Sequence, residues 1–383
     1  MDAQREVRPP VSDDDLAALP AKRGIVVLLA EGDRPILLLP AADMRRRTAN
    51  RLRDPDQQEL SRQPDLHNIV RRIAWKRSHS HFQTDLDYLD LARVMWPDEY
   101  AGMLAWKPAW FVHVDLEQDY PCFTRTRDVF GKRGRYLGPF PDGRSAGSFI
   151  DALQDAFDLC RDIKCLRSSP HGRQCSYGQM GRCLSPCDGS ISAGAYRQAV
   201  AEVCAFAVTK DSSPIVRRLE DRMRESAREL QFEKAAADKL RLERLKQFDD
   251  ARFARVRPAE EFRFLMIEHG PKPRELCTFF VELGAVEHGP VLKYPPEPQF
   301  LEDLLRLRGS FSPGPFGDAG FMRRRMGLVS HYLFSPPRRG GIIIRYHDGL
   351  SAQDLAAAIE SAAEEMKLPQ PKKQADQDTG PAQ

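Results

Sequence analysis

A cluster of cysteines is the part of this sequence whose residue types and spacing are best suited to chemistry. The chain has eight cysteines, and five of them lie close together: Cys160, Cys165, Cys175, Cys183 and Cys187. In a reducing compartment, such a cluster is more typical of metal ligation than of disulfides. Glycine and proline bend the backbone between the last three, so their thiolates could converge on one centre. Spacing alone does not separate an iron-sulfur cluster from a zinc ion, and free structural thiols are a further alternative.

The segment that follows the cysteines predicts a helical hairpin over residues 214–250. Apolar residues recur at Leu219, Met223 and Leu230 with a helical period, and the phase then slips at Phe232. Such a slip indicates two antiparallel helices joined by a tight turn. A hairpin of this size cannot bury its apolar stripes alone, so we expect it to dock on its own chain or on a matching hairpin. An internal helical segment without an outside partner is the alternative.

Length and charge limit the classes of protein that remain. The chain has 383 residues, a length that leaves room for two or three domains. Its formal net charge is +3. It contains no apolar run long enough to span a membrane, and its charged start does not look like a secretory signal. We therefore expect a cytoplasmic protein without a membrane partner. Because the net charge is small, affinity for a polyanion must come from local basic clusters.

The order of apolar, polar and proline-rich stretches predicts a mixed α/β (α+β) chain of several units. The expected boundaries are a flexible leader at 1–20, a small α/β domain at 21–141, a Cys-rich metal-binding segment at 142–210, the hairpin at 214–250, a C-terminal α/β domain at 258–366 and a disordered tail at 367–383.

The first domain begins with an apolar run from Gly24 to Pro40 that predicts two strands around a turn. An arginine-rich helix is expected next, followed by a second helix over residues 66–77. A third helix is predicted from about Thr84 to Met95, and residues 110–116 are typical of a strand.

The C-terminal region predicts strands over residues 262–270, 275–286 and 340–349, with helices between and after them. Glu268 and His269 form only a weak catalytic constellation. An arginine cluster could contact nucleic acid or simply be solvated; it consists of Arg323, Arg324, Arg325, Arg338 and Arg339.

Three ordered motifs resemble the UvrC excinuclease family of bacterial nucleotide excision repair. The sequence YLGPFP at 136–141 resembles that family's glycine-proline turn. The stretch at 175–196 resembles its C-x7-C-x3-C segment, and the stretch at 227–245 resembles its UVR motif. Residues 20–135 are similar, more weakly, to the family's GIY-YIG nuclease domain. The resemblance implies a shortened, divergent member.

For the cysteine cluster, the resemblance implies a [4Fe-4S] cluster held by four thiolates. The implied ligands are Cys165, Cys175, Cys183 and Cys187, with Cys160 as the alternative first ligand. A zinc ion in the same cage is the alternative metal.

For the hairpin, the resemblance implies docking to the UVR motif of the UvrB helicase. The partner-binding residues expected from this comparison are Leu219, Met223, Leu230, Phe232, Glu233, Ala235, Ala236 and Leu240. Glu233 would be exposed and pair with an arginine of the partner, while the apolar residues would form the buried contact.

For the first domain, the resemblance implies nuclease chemistry whose groups are mostly missing. Val26 stands where the family has a strand tyrosine, residues 37–40 replace its Tyr-Ile-Gly-Lys stretch, and Ala92 stands at the magnesium-binding glutamate. Arg47 is the only family position retained, and none of these residues can activate water or hold magnesium. We therefore predict a degenerate GIY-YIG-like domain, unless a slipped alignment makes Asp85, Asp87 or Asp90 the carboxylate.

The basic residues of this domain could still contact DNA phosphates. The candidates are Arg45, Arg46, Arg47, Arg51, Arg71, Arg72, Lys76 and Arg77. A solvated charged surface is the alternative for each of them.

The leading hypothesis is a UvrC-like accessory protein of excision repair that binds DNA or UvrB without cutting. One alternative is an active structure-specific DNA endonuclease, and only in that case would magnesium be needed. Another is a metal-dependent redox or iron sensor that uses the hairpin for protein contacts. Whether the chain is an enzyme therefore stays open, with the missing groups favouring a non-catalytic role.

Overall fold

The structure is a computed structural model of the whole chain, and it describes residues 1–52, 66–209, 211–309, 318–335, 341–366 and 368. The predicted tail at 367–383 lies outside these residues apart from Leu368. Arg338 and Arg339 of the C-terminal arginine cluster also lie outside them.

The described elements alternate between short strands and helices along the chain. The strands are β1 (Ala3–Glu6), β2 (Gly24–Leu29), β3 (Pro35–Ala41), β4 (Arg72–Arg77), β5 (Trp110–Val114), β6 (Thr124–Thr126), β7 (Arg135–Phe140), β8 (Arg257–Pro258), β9 (Arg263–His269), β10 (Glu275–Glu282), β11 (Ala285–His288), β12 (Leu292–Lys293) and β13 (Gly341–Arg345). The helices are α1 (Asp13–Ala17), α2 (Met44–Arg51), α3 (His81–Met95), α4 (Tyr100–Met103), α5 (Gly143–Phe157), α6 (Ile163–Arg167), α7 (Ser176–Gln179), α8 (Ala193–Thr209), α9 (Ser213–Arg228), α10 (Phe232–Leu245), α11 (Pro298–Gly309), α12 (Ala319–Leu333) and α13 (Ala352–Glu365). The predicted mixed fold class is confirmed.

An antiparallel sheet in the order β1-β4-β2-β3 forms the N-terminal layer. The predicted pair β2 and β3 is confirmed, and it is joined through a turn containing Gly32 at φ 70°. Alternate residues of β2 face opposite sides, as the pleat requires. Val26 therefore packs towards Met44 of α2, whereas Ile25 and Val27 belong to a core on the other side of the sheet.

The first 20 residues are not a flexible leader, so that prediction was wrong. Strand β1 pairs with β4, and Ser12 caps α1 by accepting a hydrogen bond from the Asp15 amide. Val7, Val11 and Leu19 are buried against the N-terminal sheet. These few apolar residues are separated by charged residues and prolines. The sequence pattern therefore did not indicate that they are part of the core.

The second helix predicted over residues 66–77 was also wrong, because its last six residues form β4. This strand lies between β1 and β2 in the middle of the sheet. Its Ile73, Ala74 and Trp75 are buried on both faces, and such a strand lacks the alternation that distinguishes strands from helices. Hydrogen bonding to β1 on one edge and to β2 on the other stabilises the strand conformation of these residues.

A second antiparallel sheet, in the order β6-β5-β7-β8, forms the middle layer. It begins at Trp110, whereas the sequence placed the end of the first domain at residue 141. The structural boundary therefore falls near residue 109, because β5, β6 and β7 pair with each other and pack on α5. Phe140 and Phe149 lie in this core with ring centroids 5.2 Å apart.

A third sheet, in the order β11-β10-β9-β13 with β12 beside β10, forms the C-terminal layer. Its predicted strands and helices are confirmed. Helices α11 and α13 cover one face, where Leu265 and Ile267 meet Leu304 and Ile359. Helix α3 and helix α12 cover the other face.

Helix α3 is the element shared by the N-terminal and C-terminal layers. Ser80 caps its start by accepting a hydrogen bond from the Gln83 amide. Phe82 contacts Phe279 of β10 and Tyr332 of α12, with ring centroids 5.2 and 5.4 Å apart. Leu86 and Leu89 continue this core along the helix. The helix is therefore buried on two sides and positions both sheets.

Within the described residues, no helix is both long and apolar enough to cross a membrane.

Glu268 of β9 is a buried carboxylate inside the C-terminal layer. It is 1% exposed, and neither of its oxygens has a hydrogen-bond partner of good geometry among the described residues. It is paired in register with Gly341, where any Cβ atom would collide with a carboxylate oxygen. Burial raises the pKa of Glu268 well above its ordinary value, and the Asp85 charge adds to this rise, although the nearby Ser80 hydroxyl opposes it.

We predict that Glu268→Gln stabilises the protein increasingly as the pH rises. The folded state holds this proton above the ordinary pKa, so wild-type stability falls as the pH increases from the unfolded pKa towards the folded one. The glutamine side chain of the variant does not titrate, so it removes this loss of stability. We expect the free energy of unfolding to rise by about 1–3 kcal/mol near pH 8 and to change little near pH 4. Urea unfolding at several pH values measures it. The exposed Glu287→Gln is the control, and equal gains at both pH values would contradict the prediction.

Candidate thiolate cluster, hairpin and basic surfaces

The five clustered cysteines lie on short elements that follow α5. Cys160 comes just after the helix, Cys165 lies in α6, and Cys175 is the residue before α7. Cys183 and Cys187 lie in the turns that lead to α8. Cys160, Cys183 and Cys187 are buried, and the other two are half-buried. The segment has little regular structure of its own, so the chain can bring distant thiols together.

Cys160 and Cys183 form a hydrogen-bonded pair of thiols. This hydrogen bond and burial raise the pKa of Cys160, while the same bond lowers the pKa of Cys183 to about 7. The backbone amide of Ser185 donates to the Cys183 sulfur at 3.4 Å, which also favours its thiolate. The pair therefore contains one group poised to carry negative charge.

Cys165 is linked by charge interactions to three of the other cysteines, Cys160, Cys175 and Cys187. Burial raises the pKa of Cys165 to about 11, and Asp162, Cys175 and Cys187 contribute to the rise. Cys165 also acts on Cys160. All five thiols are thus electrostatic neighbours, and the sequence alternatives Cys160 and Cys165 both lie in the group.

This donor set fits a thiolate-bound metal in type and number. Four soft sulfur ligands are what both an iron-sulfur cluster and a structural zinc ion require. Within the described residues, however, no three His, Cys, Asp or Glu side chains are arranged as a ready-made ion site.

The end of α5 joins the cysteine segment to the hairpin through ion pairs. Asp158 ends the helix in the left-handed region at φ 51°, and its carboxylate accepts a hydrogen bond from Arg241 of α10 at 2.6 Å. Its backbone oxygen accepts from the amide of Leu184, which follows Cys183, at 2.8 Å. Arg244 of α10 donates to the Asp155 backbone oxygen at 2.8 Å.

The carboxylate of Asp155 completes this network on the cysteine side. It is paired with Arg161, which follows Cys160, and with Arg182, which precedes Cys183. On the hairpin side, Asp238 is 1% exposed and receives Arg241 at 2.7 Å and Arg222 of α9 at 3.1 Å. Buried carboxylates shared in this way fix two segments relative to one another.

Helices α9 and α10 pack against each other within the range 214–250 where the sequence predicts a hairpin. Leu219 is buried within the chain, and Met223 and Ala235 are half-buried. The turn between the helices places Leu230 at φ 59° and leaves it 72% exposed, and Phe232 is 65% exposed. The other predicted contact residues, Glu233, Ala236 and Leu240, are exposed as well. The apolar tip is therefore uncovered, whereas Leu219 is already used inside the chain.

The positions compared with nuclease residues do not line a cleft in the N-terminal layer. Val26 and Ala92 are fully buried, and Leu38 and Leu39 are buried on the two faces of the sheet. Arg47 is exposed on α2, away from the α3 side of the sheet.

The alternative carboxylates of α3 are engaged in structural contacts. Asp85 accepts a hydrogen bond from the Tyr332 hydroxyl at 2.6 Å. Asp87 pairs with Lys76 at 2.7 Å, and Asp90 receives Arg325 at 2.8 Å. These contacts join α3 to β4 and to α12, so the three aspartates act in packing.

The predicted phosphate-contacting residues fall into two groups. Arg45, Arg46, Arg47 and Arg71 are exposed, and Arg51 is half-buried. The other three are occupied by carboxylates, since Arg72 pairs with Asp33 at 2.7 Å, Lys76 with Asp87, and Arg77 with Asp2 at 3.9 Å. The exposed arginines of α2 are therefore the better candidates.

The C-terminal arginines are mostly used inside the protein. Arg323 pairs with Asp128 at 3.0 Å, and Arg325 with Asp90. The guanidinium of Arg324 lies 5.3 Å from the Tyr100 ring centre. The nucleic-acid role considered for these three is not what their contacts favour. They link α12 to the other layers instead.

Comparison with known proteins places the middle of the chain in a family. Residues 109–206 match the family described as UvrC/Cho excinuclease, middle domain. This match spans β5 to β7, α5 and all five clustered cysteines. The middle of the chain is therefore similar to the middle domain of the UvrC/Cho excinucleases.

Several curated UvrC proteins resemble longer parts of the chain. UvrABC system protein C of Nautilia profundicola is 30% identical over 46% of this chain and 28% of its own length. The protein of the same name from Ruminiclostridium cellulolyticum is 25% identical over 71% of this chain and 44% of its own length. That of Moorella thermoacetica is 32% identical over 33% of this chain and 20% of its own length. The chain thus covers less than half of each of these UvrC relatives, and no solved structure matches it.

Sequence reasoning about this UvrC relative missed the carboxylates that connect its middle segment to the hairpin. Asp155 and Asp158 appear in the sequence as ordinary polar residues near a helix end. The available signal was the spacing of Arg241 and Arg244 on α10, which places two arginines on one helix face. Only the tertiary structure shows that this face meets the end of α5.

Proposed function

We propose that this protein acts in nucleotide excision repair as a binding component that contacts DNA and a UvrB-type helicase without cutting DNA. The observation that carries the proposal is the UvrC-type middle segment followed directly by a hairpin with an uncovered apolar tip. The buried nuclease positions and the engaged aspartates of α3 support the absence of cutting.

The hairpin supplies the proposed protein-binding surface. Leu230, Phe232 and Leu240 are large apolar side chains, each at least half exposed, on a pair of helices whose α10 is held by the ion pairs of Arg241 with Asp158 and Asp238. Anchoring keeps the tip in one orientation, which lowers the entropy that binding must overcome. A matching hairpin of a UvrB-type helicase would cover the apolar tip and complete a four-helix arrangement.

We predict that Phe232→Ala weakens binding of a UvrB-type helicase by about 10-fold or more, because exposed aromatic residues at the centre of an interface carry much of the binding energy. Folding should be unaffected, since the ring is mostly exposed. Isothermal titration calorimetry measures the affinity. Leu307→Ala removes an apolar residue of α11 that is 52% exposed, and it serves as the control. Equal affinity of both variants would argue against docking through the tip.

The exposed arginines of α2 supply the proposed DNA contact. Arg45, Arg46 and Arg47 are consecutive, so they project to more than one side of the helix and can meet neighbouring phosphates. Arg45 is partly held by a hydrogen bond to the Leu19 backbone oxygen at 2.8 Å. Contacts of this kind provide affinity without sequence preference.

We predict that replacing Arg45, Arg46 and Arg47 by glutamine weakens duplex DNA binding and lowers the salt dependence of log K by about 2–3, since each lost phosphate contact contributes about 0.9. Fluorescence anisotropy across a salt series measures both quantities. Replacing Arg217, Arg224 and Arg228 of α9 removes the same charge and should change little. Magnesium-dependent cleavage of a lesion-bearing duplex that Arg47→Ala abolishes would support the endonuclease alternative instead.

The clustered thiols supply the proposed cofactor site, a [4Fe-4S] cluster. Five neighbouring thiols of which three are buried, and an amide that donates to the Cys183 sulfur, suit such a centre. Cys175, Cys183 and Cys187 would be ligands, with either Cys160 or Cys165 as the fourth. The cluster would then cross-link the turns that lead from α5 to α8.

We predict that anaerobically purified protein is brown with broad absorbance near about 400 nm, as thiolate-bound iron gives. Cys187→Ser should abolish the absorbance and lower the thermal midpoint, because the cross-link is lost. Cys204→Ser is the control, since Cys204 is a buried cysteine of α8 outside the cluster. Colourless protein with stoichiometric zinc would favour the zinc alternative. A colourless, metal-free protein would favour the alternative that these cysteines are free structural thiols.

A further inference from the structure

A cavity of about 480 Å³ opens between the middle sheet, the loop before β5 and helix α12. Its walls come from the loop before β5, from the ends of β6 and β7, and from the C-terminal half of α12. It shares no residue with the cysteine cluster, the hairpin or α2. Cavities of this size at the junction of domains are typical of small-ligand sites.

Four large aromatic rings contribute to the lining of the cavity. Trp106, Trp110, Phe140 and Phe334 contribute to its walls. Trp106 and Phe140 are buried, and the indole nitrogen of Trp106 donates to the Arg324 backbone oxygen at 3.1 Å. Trp110 and Phe334 are half-buried, and the guanidinium of Arg255 lies 5.9 Å from the centre of the Phe334 ring. Flat aromatic faces beside a cavity suit a flat aromatic ligand.

The walls are held in place by close backbone packing. A Cβ atom at Gly327 of α12 would collide with the Lys107 backbone oxygen, so glycine lets the helix approach the loop. A Cβ atom at Gly143 would lie 2.9 Å from the Trp110 ring. The pocket is thus formed before any ligand arrives, which reduces the cost of binding.

The polar side chains that line the cavity are those of Lys107, Arg127, Asp142, Ser330, His331 and Ser335. Arg127 lies 4.4 Å above the centre of the Trp110 ring, and Lys107 also lines the cavity. Ser330 is 4% exposed, and its hydroxyl has no hydrogen-bond partner among the described residues. The one carboxylate in the lining, Asp142, already caps α5 by accepting from the Ser145 amide at 2.7 Å.

We propose that this cavity binds a nucleobase, stacked on Trp110 and Phe334, with the adjoining phosphate near Arg127 and Lys107. A cation above an indole ring continues the stack and attracts phosphate, as in sequence-tolerant single-strand binding. The Ser330 hydroxyl would bond to a polar atom of the base edge. A purely apolar ligand would leave that hydroxyl unsatisfied and would not use the two cations.

The base and phosphate that the cavity would bind could belong to a free nucleotide or to an unpaired nucleotide of DNA. This inference deepens the proposed DNA binding, and the DNA source rests on that proposed function. Unpaired bases are accessible only in single-stranded or opened duplex DNA, because pairing and stacking hide the base faces.

Titration of the full chain with a single-stranded oligonucleotide containing one 2-aminopurine tests the proposal, since stacking on tryptophan quenches that base. We expect Phe334→Ala to weaken binding by about 5- to 100-fold, as loss of one base-aromatic stack does. Arg127→Gln should weaken it by about 3- to 10-fold. Ser330→Ala, which removes only a hydroxyl and leaves packing intact, should weaken it by about 2- to 10-fold.

Matched controls separate the pocket from general charge and packing. Arg133→Gln removes an exposed arginine from the loop between β6 and β7 that does not line this cavity, and Phe300→Ala removes a half-buried ring from the C-terminal core. Both should bind within about 2-fold of wild type, a difference of less than about 0.5 kcal/mol. Thermal unfolding of every variant identifies any loss of folding.

The outcomes distinguish this inference from the proposed function. DNA binding that none of the three pocket variants weakens would overturn the pocket and leave DNA binding in place. Binding of deoxyadenosine monophosphate that Phe334→Ala weakens, in a chain that does not bind DNA, would keep the pocket for a free nucleotide and overturn the proposed DNA contact. A chain that binds neither probe would overturn both.

Discussion

The structure depends most on the two carboxylates at the end of α5. Asp158 lies at the point where the helix stops, and it receives Arg241 from the hairpin while its backbone oxygen holds the Leu184 amide beside Cys183. The Asp155 carboxylate forms ion pairs with Arg161 and Arg182, which lie beside Cys160 and Cys183. Because these carboxylates are shared, the turns that carry the thiols cannot shift freely relative to α10. A metal bound by the thiols would link the same turns that these ion pairs already hold against α10. The cysteine segment and the hairpin are therefore held in a fixed arrangement by shared contacts.

Helix α3 imposes a comparable constraint on the other half of the molecule. A nuclease needs its carboxylate and phenols at a solvent-filled cleft, whereas here the equivalent strand and helix positions are packed between two sheets. Val26 and Ala92 fill space, and Asp85, Asp87 and Asp90 make contacts to Tyr332, Lys76 and Arg325. The C-terminal layer packs on α3 through Phe279 and Tyr332, which contact Phe82. Burial of these groups in the core is consistent with a role in binding.

Much of the fold followed from local pattern, and the errors came from tertiary pairing. The helical hairpin was predictable because the phase slip at Phe232 is a local signal. Strand β4 was not, because Ile73 and its neighbours are buried on both faces and their pattern fits either conformation. Likewise, the thiols were identifiable by residue type, but the pairing of Cys160 with Cys183 depends on how the turns pack. Spacing identified the candidates, and only packing determined which of them meet.

The aromatic cavity shows the same limit in a stronger form. Trp106 and Trp110 are separated from Phe334 by more than 200 positions, and no local pattern relates them. They meet because Gly327 lets α12 approach the loop before β5, which is a long-range contact. This contact also joins the loop before β5 to helix α12 of the C-terminal layer. A region that is distant in sequence can therefore still complete a binding surface, provided that it preserves the one close approach on which the surface depends.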